Sequence, residues 1–204
     1  MIRAENLIRR KVWVSGSRAA AKLWAALILL AVNVLPSQQA LAGEFSLSST
    51  TLSEGGRLER AQLYFGFGCG GDNISPQLSW QGAPAQTKSF AVVMYDPDAP
   101  TGSGWWHWVV FNIPADVTEL GEGAGDLKSG LIPEAIQSRT DFGTPGYGGA
   151  CPPKGHGDHR YQFRVYALEV EQLPLDADSP AAMVSYQINA NKLAEAQFEV
   201  KYGR

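Results

Sequence analysis

The chain has 204 residues, with 17 Lys and Arg against 20 Asp and Glu, which gives a net charge of −3 at neutral pH. The residues from 43 onward hold 11 of the basic and 19 of the acidic side chains, so this part alone has a net charge of −8. Such an acidic surface repels nucleic acids and anionic lipid faces at long range, which excludes nucleic-acid binding as the function.

The first 42 residues have the pattern of a secretory signal. Six basic side chains accompany an apolar run at 23–35 (LWAALILLAVNVL), and the triplet Ala40-Leu41-Ala42 follows. We therefore expect cleavage after Ala42, a periplasmic or secreted location, and a single domain over 43–204. The run is shorter than the about 20 residues of a membrane span. A retained N-terminal anchor and a weak twin-arginine signal at Arg9-Arg10 are the alternatives.

Period-two and continuous apolar patterns predict strands along most of the remaining chain. Weaker strands are expected at 45–51 and 77–80, and stronger ones at 88–95, 105–113, 161–170 and 198–202. Residues 181–194 lack Gly and Pro and predict one helix, with Ser179 as its cap and Pro180 in its first turn. Because few strands are separated by helical patterns, we expect a mainly β fold, an antiparallel β-sandwich with one or two short helices.

Two cysteines, Cys69 and Cys151, lie beyond the signal. An even pair in an exported protein indicates a disulfide, which would close a loop of about eighty residues. Two unpaired thiols are the alternative. Zinc is disfavoured because neither residue belongs to a C-x-x-C pair.

Three histidines, His107, His156 and His159, lie in or beside two unusual stretches, DPDAPTGSGWWHW at 96–108 and a Gly/Pro-rich loop at 143–159. Strand alternation places side chains 105, 107 and 109 on one face and 106 and 108 on the other. Likewise His159, Tyr161 and Phe163 would share a face.

If these two strands line one cavity, the sequence predicts an anion pocket. Trp105 would form a wall, His107 and His159 would donate hydrogen bonds, Tyr161 would offer a polar tip, and Asp96 would orient a histidine. Backbone N–H groups of the turn at 148–151 would add donors. The alternative is a rigid polar corner that binds nothing.

Three motifs carry a resemblance to a known family. DPDAP at 96–100, WWHWVVFNIP at 105–114 and GGACPPKGHGDHRY at 148–161 resemble the signature regions of the phosphatidylethanolamine-binding protein family, which includes the Raf kinase inhibitor proteins. FGCGGDNISPQLSW at 67–80 resembles its bacterial YbhB/YbcL branch. The resemblance covers about 45–202 and implies a Greek-key-like β-sandwich with a small pocket for phosphate-like or acetate-like groups.

Carried over position by position, the resemblance implies a ligand-binding set and a supporting set. The ligand-binding residues would be Asp96, Pro100, Trp105, His107, Pro152, His159 and Tyr161. Asp98 would support them, together with Gly149 and Ala150 of the predicted anion-binding turn. The family implies neither a metal nor a cofactor.

Two departures from the eukaryotic pattern limit what the resemblance implies. Cys151 stands where a small Gly usually precedes the Pro-Pro pair, and the C-terminal segment that covers the eukaryotic pocket has no clear counterpart. Kinase regulation is therefore not carried over. The expected partner is a small anionic ligand, and a homodimer and an unidentified protein partner both remain open.

The favoured function is an exported binding protein that recognises phosphate or a phospholipid headgroup. The first alternative is a phosphoester hydrolase in which Asp96, His107 and His159 act as acid, base and orienting group, although no nucleophile is evident. A metal site is a further alternative, because two His and one Asp also match a facial triad.

Overall fold

The long apolar runs of the sequence form the three central strands of the larger of two antiparallel sheets. The computed structural model describes residues 43–128 and 134–204, so the predicted signal at 1–42 lies outside the described residues. The strands are β1 Ser46–Ser48, β2 Phe65–Gly66, β3 Cys69–Gly70, β4 Leu78–Gln81, β5 Ser89–Asp96, β6 Trp105–Pro114, β7 Glu119–Leu120, β8 Ile136–Gln137, β9 His159–Leu168 and β10 Lys192–Tyr202. A 3₁₀ turn spans Arg60–Gln62, and the helix α1 spans Ala181–Asn191.

The larger sheet has the strand order β10-β9-β5-β6-β8, and the smaller one has the order β1-β4-β7. Strands β2 and β3 form a separate hairpin. All of these strand pairs are antiparallel. The predicted mainly β, antiparallel fold is therefore confirmed.

The larger sheet is covered on both of its faces. Between the sheets, Leu78, Trp80 and Leu120 of the smaller sheet belong to one buried cluster with Val92 and Phe163 of the larger. On the other face, side chains of α1 pack against alternate residues of β5, β6 and β9. Burial on both faces explains why β5 reads as an almost continuous apolar run rather than an alternating one.

The helix differs from its prediction at both ends. It begins after Pro180, which occupies the cap position without a side-chain cap, and Ser179 instead donates its hydroxyl to Asp176 Oδ1 at 2.9 Å. Ser179 as the cap is therefore wrong, because Asp176 takes its hydroxyl into a turn before the helix. The helix ends at Asn191 rather than at 194, because Lys192 already pairs with Leu168 in the sheet.

No helix in 43–128 or 134–204 has both the length and the apolar character that crossing a membrane requires.

Candidate functional site

The site lies at the edge of the larger sheet where β5 ends and where β6 and β9 begin. Asp96 is the last residue of β5 and pairs with Trp105, the first residue of β6. His159 is the first residue of β9, the antiparallel neighbour of β5 on the side opposite to β6. Antiparallel pairing thus brings His159 close to Asp96 and Trp105, which precede it by more than fifty positions.

A β-bulge in β6 aims His107. Met94 pairs with Trp108 and Tyr95 with Trp106, so His107 is the extra residue between the two pairs. Bulges of this kind redirect a side chain beside functional sites. As a result His107 packs edge-on against Tyr161, with ring centroids 5.3 Å apart.

The same bulge overturns a prediction from simple alternation. Trp108 is buried between the two sheets, whereas Trp106 packs on the opposite face, beside Val109 and Phe111. The expectation that Trp106 and Trp108 share one face is therefore wrong, because the alternation shifts by one residue at His107.

The two ring nitrogens of His107 differ in their hydrogen bonding. Its Nδ1–H donates to the carbonyl oxygens of Gly148 at 2.7 Å and Gly149 at 3.2 Å. Its Nε2 has no hydrogen-bond partner among the described residues. Burial lowers the pKa of His107 below its ordinary value. At neutral pH the ring is therefore uncharged, and Nε2 is an acceptor rather than the donor that was predicted.

His159 is the middle member of a chain of three side chains. Its Nδ1–H donates to Asp96 Oδ2 at 2.7 Å, and its Nε2 lies 2.9 Å from Nδ1 of His156. Asp96 and His159 are only 3% and 2% exposed, whereas His156 is exposed. The chain therefore links a buried carboxylate to the protein surface, and the nitrogen of His159 that was expected to meet a ligand is held by His156.

The turn at 148–151 does not supply the predicted anion donors. The N–H of Gly148 donates to His107 O, that of Gly149 to Asn73 Oδ1, and that of Ala150 to Gln62 O. The expectation that this turn binds an anion through its backbone is wrong for these three groups. The carbonyl oxygen of Gly149 accepts from His107 Nδ1–H at 3.2 Å, and a Cβ on Gly149 would lie 2.4 Å from Gln62 O.

A cavity of about 220 Å³ opens among these residues. It is lined by all seven predicted ligand-binding residues, namely Asp96, Pro100, Trp105, His107, Pro152, His159 and Tyr161. Asp98 lies just outside, where Arg160 donates to it at 2.8 Å and lowers the pKa of its carboxyl group. Asp98 in turn donates its backbone N–H to Asp96 Oδ1 at 2.8 Å.

Two residues of the cavity lining have a buried polar group without a hydrogen-bond partner in the described part of the chain. These groups are the indole Nε1–H of Trp105 and the hydroxyl of Tyr161. Tyr161 is fully buried, and burial raises the pKa of its phenol, so the hydroxyl keeps its proton. A buried donor without a partner costs free energy. Both residues line the cavity, so a ligand that reaches these two donors would supply the missing hydrogen bonds.

Sequence reasoning missed the aromatic wall of the cavity. Phe67 and Phe142 both line it, and their ring centroids lie 6.1 Å apart. Phe142 also meets Trp105 edge-on at 5.4 Å. The predicted disulfide could have indicated Phe67, since it places the neighbourhood of residue 69 beside residue 151. Nothing in the local pattern indicated Phe142.

The predicted disulfide between Cys69 and Cys151 is present. Cys151 lines the cavity, so the bond fastens the β2–β3 hairpin to the cavity wall. Arg204 adds a second fastening, because its guanidinium donates to the carbonyl oxygens of Pro152, Gly68 and Phe67 at 2.6, 3.0 and 3.3 Å.

Within the described ranges, no group of three or more His, Cys, Asp or Glu side chains is arranged to hold a metal ion. The facial triad considered from the sequence is not assembled, because both ring nitrogens of His159 are occupied, Nδ1 by Asp96 and Nε2 by His156.

Comparison with known proteins gives consistent results. The family model described as Phosphatidylethanolamine-binding protein matches residues 48–203. The UPF0098 protein YbcL of Escherichia coli is 50% identical over 177 residues, which cover 86% of this chain and 97% of YbcL. The UPF0098 protein YbhB of the same organism is 49% identical over 156 residues, which cover 76% of this chain and 98% of YbhB.

Solved structures extend the similarity to the fold. The crystal structure of E. coli YbcL, described as a new member of the mammalian PEBP family, superposes with a TM-score of 0.77 at 52% identity. The match covers 79% of this chain and 99% of YbcL. A putative phosphatidylethanolamine-binding protein homolog from Chlamydia trachomatis gives a TM-score of 0.66 at 29% identity, over 78% of this chain and 97% of that one.

Proposed function

The chain belongs to the phosphatidylethanolamine-binding protein family, and from this premise we propose that it is an exported protein whose cavity binds a small phosphate-type anion. The ligand is inorganic phosphate or the phosphoester group of a phospholipid headgroup. One observation carries the proposal: the Nε1–H of Trp105 and the hydroxyl of Tyr161 are buried without a partner among the described residues, and both residues line the cavity. Hydrogen bonds to a charged ligand are stronger than those between neutral groups, so an anion gains most from these two donors.

The state of His107 narrows the class of ligand. Its neutral ring presents an acceptor at Nε2, because Nδ1–H is donated to Gly148 O. The ligand therefore needs a proton of its own near the anionic oxygens. A monoprotonated phosphate has such a P–OH group, and phosphoethanolamine carries an ammonium group. Both match two donors and one acceptor better than a fully ionised phosphate does.

The test is isothermal titration calorimetry with phosphoethanolamine and with inorganic phosphate. Tyr161→Phe removes one donor and should weaken binding by about tenfold or more, which is the effect expected for a hydrogen bond to a charged group. Tyr147→Phe is the matched control, because the Tyr147 hydroxyl already donates to Gln62 O at 2.9 Å. Equal affinities for wild type and Tyr161→Phe would reject the proposed site.

Export is proposed on two grounds. The basic and apolar pattern of 1–42 is that of a secretory signal. The Cys69–Cys151 disulfide is of the kind that persists in oxidising compartments. N-terminal sequencing of the protein from a periplasmic or secreted fraction should begin at Gly43, and an intact N-terminus in the cytosolic fraction would contradict export.

Phosphoester hydrolysis is a second candidate. The Asp96–His159 hydrogen bond favours it, because such a pair can activate water once His156 releases Nε2 of His159. Cys151 is unavailable as a nucleophile, since it is bonded to Cys69. A screen of phosphoesters with wild type and His159→Ala decides the question. Turnover that disappears in the variant would establish an enzyme, and equal rates would remove this candidate.

A further inference from the structure

The β2–β3 hairpin carries the two most exposed large apolar side chains of the described residues. Phe65 is 77% exposed and Phe67 is 72% exposed. Phe67 lines the 220 Å³ cavity, and Phe65 lines an adjoining surface groove of about 960 Å³. The hairpin is therefore an aromatic ridge at the mouth of the proposed ligand pocket.

The tip of the hairpin holds a phenylalanine in a strained backbone conformation. Phe67 and Gly68 form the two-residue turn, with φ values of 49° and 77°. Both positions of such a turn need positive φ, which Asn and Gly adopt readily and a bulky residue such as Phe adopts at a cost. Strain of this kind tends to be retained where function requires it.

The hairpin is also held in place from two sides. The Cys69–Cys151 disulfide ties its second strand to the cavity wall, and Arg204 donates to the carbonyl oxygens of both turn residues. The Phe67 ring lies 5.3 Å from Tyr64 and 6.1 Å from Phe142, so the tip rests on an aromatic base. The two Phe side chains are thus presented on a braced support.

We propose that this hairpin docks the protein on a lipid bilayer, with Phe65 and Phe67 inserted among the headgroups. The inference rests on the proposed function, in which the cavity takes a phosphoester headgroup. A cavity of about 220 Å³ has the volume of roughly seven water molecules, which admits a headgroup but not acyl chains. Because the acyl chains stay in the bilayer, the cavity mouth has to meet the membrane surface, and the ridge lies at that mouth.

Charge selects the kind of bilayer. Residues from 43 onward have a net charge of −8, so a surface of anionic lipids repels the protein and a zwitterionic one does not.

The size of the ridge favours a membrane over a protein partner. Two side chains at a turn bury far less area than the about 800 Å² that each partner buries in a standard protein interface. Inserted among headgroups, the same two side chains give weak, reversible binding in proportion to their buried apolar area.

The test is co-sedimentation of the protein, purified as processed from the exported fraction, with vesicles of phosphatidylcholine and phosphatidylethanolamine. Phe65→Ser should lower vesicle partitioning by about tenfold, the loss expected for one phenyl ring that no longer leaves water. The affinity for soluble phosphoethanolamine should not change, because Phe65 does not line the small cavity. Tyr186→Ser is the matched control, since Tyr186 is an aromatic residue 68% exposed on α1.

Replacing part of the zwitterionic lipid by phosphatidylserine should weaken the binding, and added salt should restore part of it. Failure to bind vesicles in a protein that binds phosphoethanolamine would overturn the docking inference. Equal vesicle partitioning of Phe65→Ser and Tyr186→Ser would also overturn the docking inference. Phe65-dependent vesicle binding without phosphoethanolamine binding would keep the docking surface and reject the proposed pocket ligand.

Discussion

Tyr161 and Tyr147 are both buried, yet their hydroxyls have different roles in the fold. The Tyr147 hydroxyl donates to Gln62 O at 2.9 Å, and the Tyr161 hydroxyl has no partner within 43–128 and 134–204. Tyr147→Phe should lower the free energy of unfolding by about 1 kcal/mol, whereas Tyr161→Phe should leave it unchanged or raise it. Urea denaturation of the unliganded variants measures both. A loss of stability in Tyr161→Phe equal to that in Tyr147→Phe would show that the phenol serves the fold.

His107 should make stability depend on pH. Burial places its folded-state pKa below the 6.5 of an unfolded chain, so the unfolded state takes up a proton first as pH falls. Its contribution is complete above about pH 6.5 and is lost as pH falls from there toward the folded-state pKa. The slope from this one group is at most about 1.4 kcal/mol per pH unit.

Urea denaturation at pH 7.5 and pH 5.0 checks this expectation. His107→Gln removes the titrating ring while retaining an amide that can donate to Gly148 O. The variant should lose less stability than wild type between the two pH values. An identical loss in both proteins would assign the pH dependence to other groups.

At the scale of elements, the disulfide is the main fastening of the cavity wall that the hairpin forms. It closes a loop between residues 82 apart in sequence, and such a bond contributes about 2–5 kcal/mol to stability. Replacing Cys69 and Cys151 with Ala should lower the free energy of unfolding by that amount in urea denaturation. Wild type treated with dithiothreitol should match the double variant, which itself should not respond to the reductant. A loss below about 0.5 kcal/mol would contradict this role.

The elements best predicted from the sequence are those with long apolar patterns. Strands β5, β6 and β9 lie within about two residues of their predicted bounds. Each has eight or more consecutive residues, so its strand pattern is long enough to recognise. Strands of two residues, such as β2 and β8, carry too little pattern to be predicted. The bulge at His107 was missed because the residues around it are apolar or aromatic on both faces.

Similarly, the membership of the site could be predicted, but its hydrogen bonds could not. All seven predicted ligand-binding residues line one cavity, and whether they bind an anion stays a prediction. His156 was noted in the sequence but given no role, since its approach to His159 depends on the turn that begins at Pro153. The donors of 148–150 were assigned to a ligand because the sequence does not show that Asn73 and Gln62 already accept them.

For the whole molecule, charge predicts how anion binding responds to salt. The net charge of −8 from residue 43 onward opposes the approach of an anion, while the cavity donors are neutral groups. Screening therefore removes more repulsion than attraction. The Kd for phosphoethanolamine should fall or stay within about twofold between 50 and 300 mM NaCl, as measured by calorimetry. A severalfold rise in Kd would indicate a cationic site instead.

The most direct measurement of the central claim is a ¹H–¹⁵N NMR titration of the indole N–H resonances with phosphoethanolamine. Among the residues that the structure describes, Trp105 and Trp80 both have a buried Nε1–H without a partner, but only Trp105 lines the cavity. Trp105→Phe and Trp80→Phe assign the two resonances. We predict a saturable shift of the Trp105 resonance at millimolar ligand while the Trp80 resonance stays in place. A stationary Trp105 resonance, or equal shifts of both, would contradict an anion site in this cavity.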